Sequence, residues 1–217
     1  MGTITSPARM KIVPHVSLVT VIEVIAILVG AFSGFVEARR KRMDIVGVII
    51  VAFIAAFGGG TLRDILLDKR PLFWVQHQEY TILLFVLALA VAPFMKHLRH
   101  IVSERLIVVA DAMGLGLFAV AGVSQALAAD MPVFIAAMMG VITGIFGGVL
   151  RDIVCNEVPM VFRDGKPYAI CAFFGCWLYI LLQQVGVTED IALWSSAATI
   201  TVLRLVTWKF DLRVGRP

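Results

Sequence analysis

The chain has 217 residues, 60% of them hydrophobic and only 16% charged, with a formal net charge of +4 and a mean hydropathy of +0.93. A soluble domain carries about a quarter charged residues, and one of this length has no core large enough for so much apolar side chain. The composition excludes a water-soluble globular protein and makes the bilayer the natural solvent.

Seven apolar runs approach the roughly 20 residues that a helix needs to cross a bilayer. They fall at 16–36, 45–62, 80–95, 106–129, 131–150, 168–187 and 191–208. The first is too long for the apolar part of a signal peptide and has no small-residue cleavage site after it, so it reads as a retained helix. It carries Glu23. The second ends in Gly58, Gly59 and Gly60, with Arg63 and Asp64 close behind. The third is short, closed by Lys96. The fourth carries Asp111, followed by Gly114 and Gly116, which suit close packing or a local bend. The fifth carries Gly144, Gly147 and Gly148 and is followed by Arg151 and Asp152. The sixth holds Cys171 and Cys176. The seventh has a small, weakly polar Ser195–Thr199 segment, suited to packing against another helix, and Arg204, placed to snorkel to the interface.

Basic residues set the expected orientation. Arg39, Arg40, Lys41 and Arg42 separate the first two runs, and the same side receives Lys96, Arg99, Arg105, Arg151, Arg163, Lys166, Lys209, Arg213 and Arg216. The other side receives fewer: Arg9, Lys11, Arg63, Lys69 and Arg70. The expected topology has the N-terminus outside and the C-terminus in the cytoplasm, in a bacterial inner membrane. Basic residues scattered over membrane loops argue against a nucleic-acid partner.

Subtracting 88 from a residue number in the second half gives its counterpart in the first. Gly59, Gly60, Leu62, Arg63, Asp64, Ile65 and Pro71 meet Gly147, Gly148, Leu150, Arg151, Asp152, Ile153 and Pro159 without a gap. Gly34 meets Gly122, Met43 meets Met131, and Glu23 meets Asp111. Each copy spans three runs, an odd number, so the copies enter the membrane from opposite faces, as in many transport proteins. The predicted fold is an all-α integral membrane protein with seven transmembrane helices. It is one membrane domain, 1–217, made of a first three-helix repeat (16–98), a second, inverted repeat (104–187) and a seventh helix (191–208).

Ala52, Ala56 and Gly60 recur at every fourth position, as do Gly140, Gly144 and Gly148, giving one small stripe per helix. Two readings fit. Such a stripe lets another helix approach closely in lipid. Glycines just before an Arg–Asp pair also permit a break, whose freed carbonyls must then be buried or line water.

Ionisable groups at membrane depth are expensive and face the bundle interior or water. Arg63–Asp64 and Arg151–Asp152 fit either a functional pair or plain snorkelling at a helix end. Adjacent helical residues point about 100° apart, so the expected pairing runs across the repeats, Arg63 with Asp152 and Arg151 with Asp64. Glu23 and Asp111 fit three roles: a cation-attracting site, a proton-binding group, or a partner for an arginine.

Catalysis has no constellation here: GxSxG, Rossmann and P-loop patterns are missing, and the glycine run lacks the Lys-Ser/Thr of a phosphate loop. His15, His77, His97 and His100 fall in tails and loops without ligand spacing, so neither a metal site nor a resident cofactor is expected. Three cysteines, Cys155, Cys171 and Cys176, form no CxxC pair and read as core residues.

Seven helices in a 3+3+1 plan, with GGGTLRD at 58–64 echoed by GGVLRD at 147–152, resemble the prokaryotic members of the trimeric intracellular cation (TRIC) channel family. These bacterial membrane proteins are also described by a glycine-transporter domain. The resemblance covers about residues 15–208. It implies a homotrimer embedded in membrane lipid, with a pore in each protomer lined by the second and fifth helices. It further implies that monovalent cations permeate, chiefly potassium (K+ or Na+). Gly58, Gly59, Gly60, Arg63 and Asp64 correspond to one half of a kinked element, and Gly147, Gly148, Arg151 and Asp152 to the other. The Lys-Glu-Val motif of the animal branch is missing, and the family implies no role for Glu23 or Asp111.

The expected function is a potassium-permeable channel and not an enzyme. The alternative is a secondary transporter of a small zwitterion such as glycine, whose carboxylate and ammonium would suit broken helix ends and paired charges. A membrane scaffold without transport is the third reading.

Overall fold

The computed structural model describes residues 18–94, 104–162, 165 and 167–213. Arg9, Lys11, His15, Lys96, His97, Arg99, His100, Arg163, Lys166 and Arg216 lie outside the described residues. Among those described stand eight α-helices: α1 (Leu18–Arg40), α2 (Ile45–Leu66), α3 (Phe73–Gln76), α4 (Gln78–Phe94), α5 (Glu104–Ala128), α6 (Val133–Val154), α7 (Tyr168–Gln184) and α8 (Glu189–Lys209). A 3-10 turn, Met160–Phe162, lies between α6 and α7. Helix α3 was not expected; it occupies part of the connection after the second run.

Helices α1, α2, α5, α6 and α8 are long and apolar enough to cross a membrane. Helices α4 and α7 have 17 residues each, a rise of about 25 Å that lies at the short end of the spanning range. These seven correspond to the seven runs, so the protein is an all-α membrane protein. Ile50, Phe85, Phe134, Ile153, Phe174 and Val202 are exposed on its outside, as a surface facing hydrocarbon requires.

The helix ends repeat as the sequence does. Met43 N–H bonds to the Ala38 carbonyl and Met131 N–H to that of Ala126, at 3.0 and 3.1 Å. Arg42 and Asp130 supply the left-handed residue, each with φ 56°. Asp68 and Asn156 do the same after α2 and α6, with φ 50° and 55°. These caps satisfy carbonyls that lipid would leave bare.

Helix α5 is central, packed by α1, α6, α7 and α8. The small segment of α8 seats against it: a methyl on Gly116 would lie 2.5 Å from the Ala197 carbonyl oxygen. The functionally telling contact is between α2 and α6. A Cβ on Gly59 would collide with the Thr143 carbonyl oxygen, and one on Gly147 would lie 2.8 Å from the Ala55 carbonyl oxygen. Thr143 is the counterpart of Ala55, and Gly147 that of Gly59, so the contact returns when the copies are exchanged. That reciprocity is the property of a two-fold axis.

Neither helix breaks at its glycines. Helix α2 continues through Gly58–Gly60 to Leu66, and α6 through Gly147 and Gly148 to Val154, so both Arg–Asp pairs stand on helix. A bilayer offers no partner to a freed backbone group, which holds the helix together despite glycine's poor propensity. At the crossing, glycine provides close approach.

Candidate functional site

Two buried clusters flank the crossing, one on each side of the approximate two-fold. In the first, Arg63 Nε and Nη2 donate to Asp64 Oδ1 at 2.9 and 2.7 Å. Its Nη1 donates to Glu23 Oε1 across from α1. Asp64 Oδ2 accepts the backbone N–H of Phe73 at 2.8 Å, which ties the start of α3 to the end of α2. Gln125 Nε2, from α5, donates to Glu23 Oε1 at 2.6 Å, and Lys69 Nζ donates to Gln125 Oε1 at 2.7 Å.

The second cluster repeats the plan. Arg151 Nε donates to Asp152 Oδ1 at 2.9 Å, with Nη2 2.7 Å from the same oxygen. Nη1 reaches Asp111 Oδ1 at 3.3 Å and donates to Ser33 Oγ of α1. Asp152 Oδ2 accepts the N–H of Met160 at 3.0 Å, and Tyr168 Oη donates to Asp111 Oδ2 at 2.6 Å. Both arginines and all four acids are buried, Arg63 and Asp64 at 1% exposure.

The expected pairing across the repeats is therefore not what forms: each arginine holds the aspartate that follows it. The angle between adjacent side chains concerns their first bond only. Arginine's long stem turns the guanidinium back, and two parallel donors then meet one carboxylate oxygen. Glu23 and Asp111 stand on the remaining arm as arginine partners. Arg204 does not snorkel either. It is buried at 3% exposure, with its guanidinium carbon 4.6 Å from the centre of the Tyr168 ring.

The named glycines divide by surroundings. Gly59 and Gly147 form the backbone contact just described. Gly144 packs α6 on α5, where an added Cβ would lie 2.9 Å from the Leu115 carbonyl oxygen. Gly60 and Gly148 face the clusters: a Cβ added there would lie 3.7 Å from Arg63 Nη2 and 3.4 Å from Asp111 Oδ1, respectively. Gly58 faces away: a Cβ added there would lie 3.0 Å from Leu150 Cδ1. The cavity at Glu23, Gly60 and Arg63 has about 10 Å³, and that at Ser33, Asp111 and Arg151 about 20 Å³. Each has room for about one water.

Sequence reasoning missed Ser33, Gln125 and Tyr168. Only Tyr168 carried a signal, because Tyr80 holds the same register. In the fold the two part company: Tyr80 stacks on Phe73, with ring centres 6.1 Å apart. No group of three His, Cys, Asp or Glu that could hold a metal ion occurs among the described residues.

By formal charge, each cluster sets one arginine against two acidic side chains. Neither Arg63 nor Arg151 presents a bare positive field to the crossing between them.

A protein-family model described as glycine transporter matches the chain twice, at residues 20–96 and 108–184. The UPF0126 inner membrane protein YadS of Escherichia coli is 35% identical over 91% of this chain and 95% of its own length. A UPF0126 membrane protein of Vibrio cholerae is 35% identical over 90% of this chain and 82% of its own. Among solved structures, the TRIC trimeric intracellular cation channel orthologue from Rhodobacter sphaeroides superimposes with a TM-score of 0.83 at 30% identity, covering 90% of this chain and 99% of that one. A TRIC cation channel solved for the structural basis of its conductance gives 0.80 at 33% identity, covering 93% and 98%. The chain belongs to this family of bacterial membrane proteins, the prokaryotic TRIC family, and shares its fold.

Proposed function

We propose that the protein is a monovalent cation channel, permeable to potassium, in a bacterial inner membrane. The carrying observation is the two-fold crossing of α2 and α6 at Gly59 and Gly147 with an acid-rich cluster on either side. The pathway runs along this crossing, and the repeats 16–98 and 104–187 supply one gate each. A cation meets no net repulsion from Arg63 or Arg151, because each arginine is set against two acidic side chains. With room for about one water at each cluster, the conformation described is closed. Conduction requires the arginines to move aside or the helices to bend at Gly58–Gly60 and Gly144–Gly148.

The basic-residue asymmetry puts the N-terminus outside, the Arg63 cluster at the outer end and the Arg151 cluster at the cytoplasmic end. Homotrimers with a pore in each protomer, surrounded by lipid, are the assembly we infer from the trimeric neighbours. No cofactor is part of this function, and the neighbours are channels, not enzymes. A glycine carrier is disfavoured because Arg63 and Arg151 already have every arm on the chain's own acids or Ser33, leaving neither free for a substrate carboxylate.

The test is reconstitution into planar bilayers under a potassium chloride gradient, with Arg151→Ala and empty membranes as controls. Unitary currents that reverse near the potassium equilibrium potential, altered in conductance or open probability by Arg151→Ala, are expected. Silent bilayers together with saturable uptake of labelled glycine would replace the channel with the carrier.

A further inference from the structure

Arg204 is a buried charge that belongs to neither cluster. It lies on α8, outside both copies of the repeat, at 3% exposure. Its Nε and Nη1 have no hydrogen-bond partner among the described residues. A guanidinium in that position without a carboxylate is expensive unless another negative charge lies close by. What it touches is the face of Tyr168, 4.6 Å from guanidinium carbon to ring centre, a favourable seat for a cation. The hydroxyl of the same ring donates to Asp111 at 2.6 Å, and Asp111 belongs to the Arg151 cluster, with its two acidic side chains to one arginine.

The opposite end is built alike from unrelated residues. Lys69 reaches Glu23 through a neutral side chain, Gln125, at 2.7 and 2.6 Å. Lys69 has Glu157 at its repeat position, and Tyr168 has Tyr80, which stacks elsewhere. The repeat therefore does not account for the likeness. In both ends a basic residue, a neutral bridge and the far acid stand in line, yet Lys69 is exposed and Arg204 buried.

We propose that Arg204 is a positioning residue that balances the charge of the Arg151 cluster through Tyr168, so that α8 sets how strongly this end attracts cations. The inference rests on the channel reading. It makes the two ends of the pathway inequivalent: one is neutralised by an exposed lysine, the other by a buried arginine.

The test is single-channel recording of full-length Arg204→Met and Arg204→Lys in symmetrical potassium chloride, from about 50 mM to 1 M. By formal charge, methionine leaves the Arg151 end one negative charge in excess. Current carried by potassium entering from that end then rises about two- to threefold relative to the reverse direction at low salt, and the difference fades at 1 M. Lysine keeps the wild-type ratio. Because Arg204→Met removes a buried charge that pairs with no carboxylate among the described residues, the variant assembles normally. A methionine variant with the wild-type ratio at every salt, a salt-independent change, or failure to assemble while Arg204→Lys assembles would each overturn the proposal. A silent wild-type protein would end the channel reading and this inference with it, whereas a conducting wild type with an unchanged Arg204→Met would end this inference alone.

Discussion

Arg151 holds Asp152, its own neighbour in the chain, through Nε at 2.9 Å and Nη2 at 2.7 Å. Asp152 gives its second oxygen to the N–H of Met160. The same joint links Arg63, Asp64 and Phe73. Each joint fastens the end of a crossing helix to the segment after it and leaves Nη1 as the arginine's single arm toward the other helices.

This arrangement predicts where coupling energy resides. In a double-mutant cycle read by thermal unfolding in detergent, Arg63→Met with Asp64→Asn should show a coupling of about 1–3 kcal/mol. Arg63→Met with Asp152→Asn should be additive to within about 0.5 kcal/mol. Strong coupling in the second cycle would restore pairing across the repeats.

The reciprocal crossing predicts selective effects of added methyl groups, on both helices. Gly59→Ala and Gly147→Ala each press a Cβ on a backbone carbonyl of the opposing helix, and backbone cannot yield as a side chain does. Each should destabilise the protein by about 1–3 kcal/mol. Gly60→Ala meets only Arg63 Nη2 at 3.7 Å and should unfold within a degree or two of wild type, at a cost of about 0.5 kcal/mol or less. A loss at only one of Gly59 and Gly147 would argue against the reciprocal contact.

Cys155, Cys171 and Cys176 are free thiols with 3%, 4% and 0% exposure. Maleimide should label none of them in the intact protein and all three after denaturation, as counted by mass spectrometry. One fast-labelling native thiol would mean that α7 or the end of α6 is more open than described.

The residues that were legible beforehand are those that the repeat doubles. Glu23, Asp111 and the Arg–Asp pairs stand out because an ionisable group inside an apolar run is rare and the same register holds two of them. Ser33 and Gln125 sit in apolar or loop-edge surroundings, and nothing local tells a buried hydrogen-bonding partner from a packed small residue. Arg204 misled because hydropathy gives its depth along α8 but not which face it occupies. The expected break at Gly58–Gly60 weighed glycine's propensity as though water were present to take up the freed carbonyls. In hydrocarbon that outlet is closed, and the close contact of Gly59 with Thr143 is what the glycine serves.

The central claim is that cations pass on the cluster side of the α2–α6 crossing, where Gly60 faces Glu23 and Arg63. Gly58, two residues earlier, faces an apolar groove of about 240 Å³ beside Phe53, Phe146 and Leu150. The most direct measurement is single-channel recording of Gly60→Cys and Gly58→Cys in a chain whose three native cysteines are replaced by alanine. A methanethiosulfonate bearing a quaternary ammonium is added during the recording. The account predicts that the reagent steps the unitary current down or off in Gly60→Cys and leaves Gly58→Cys unchanged. Block of Gly58→Cys with Gly60→Cys untouched would contradict it and move the pathway to the opposite face of α2.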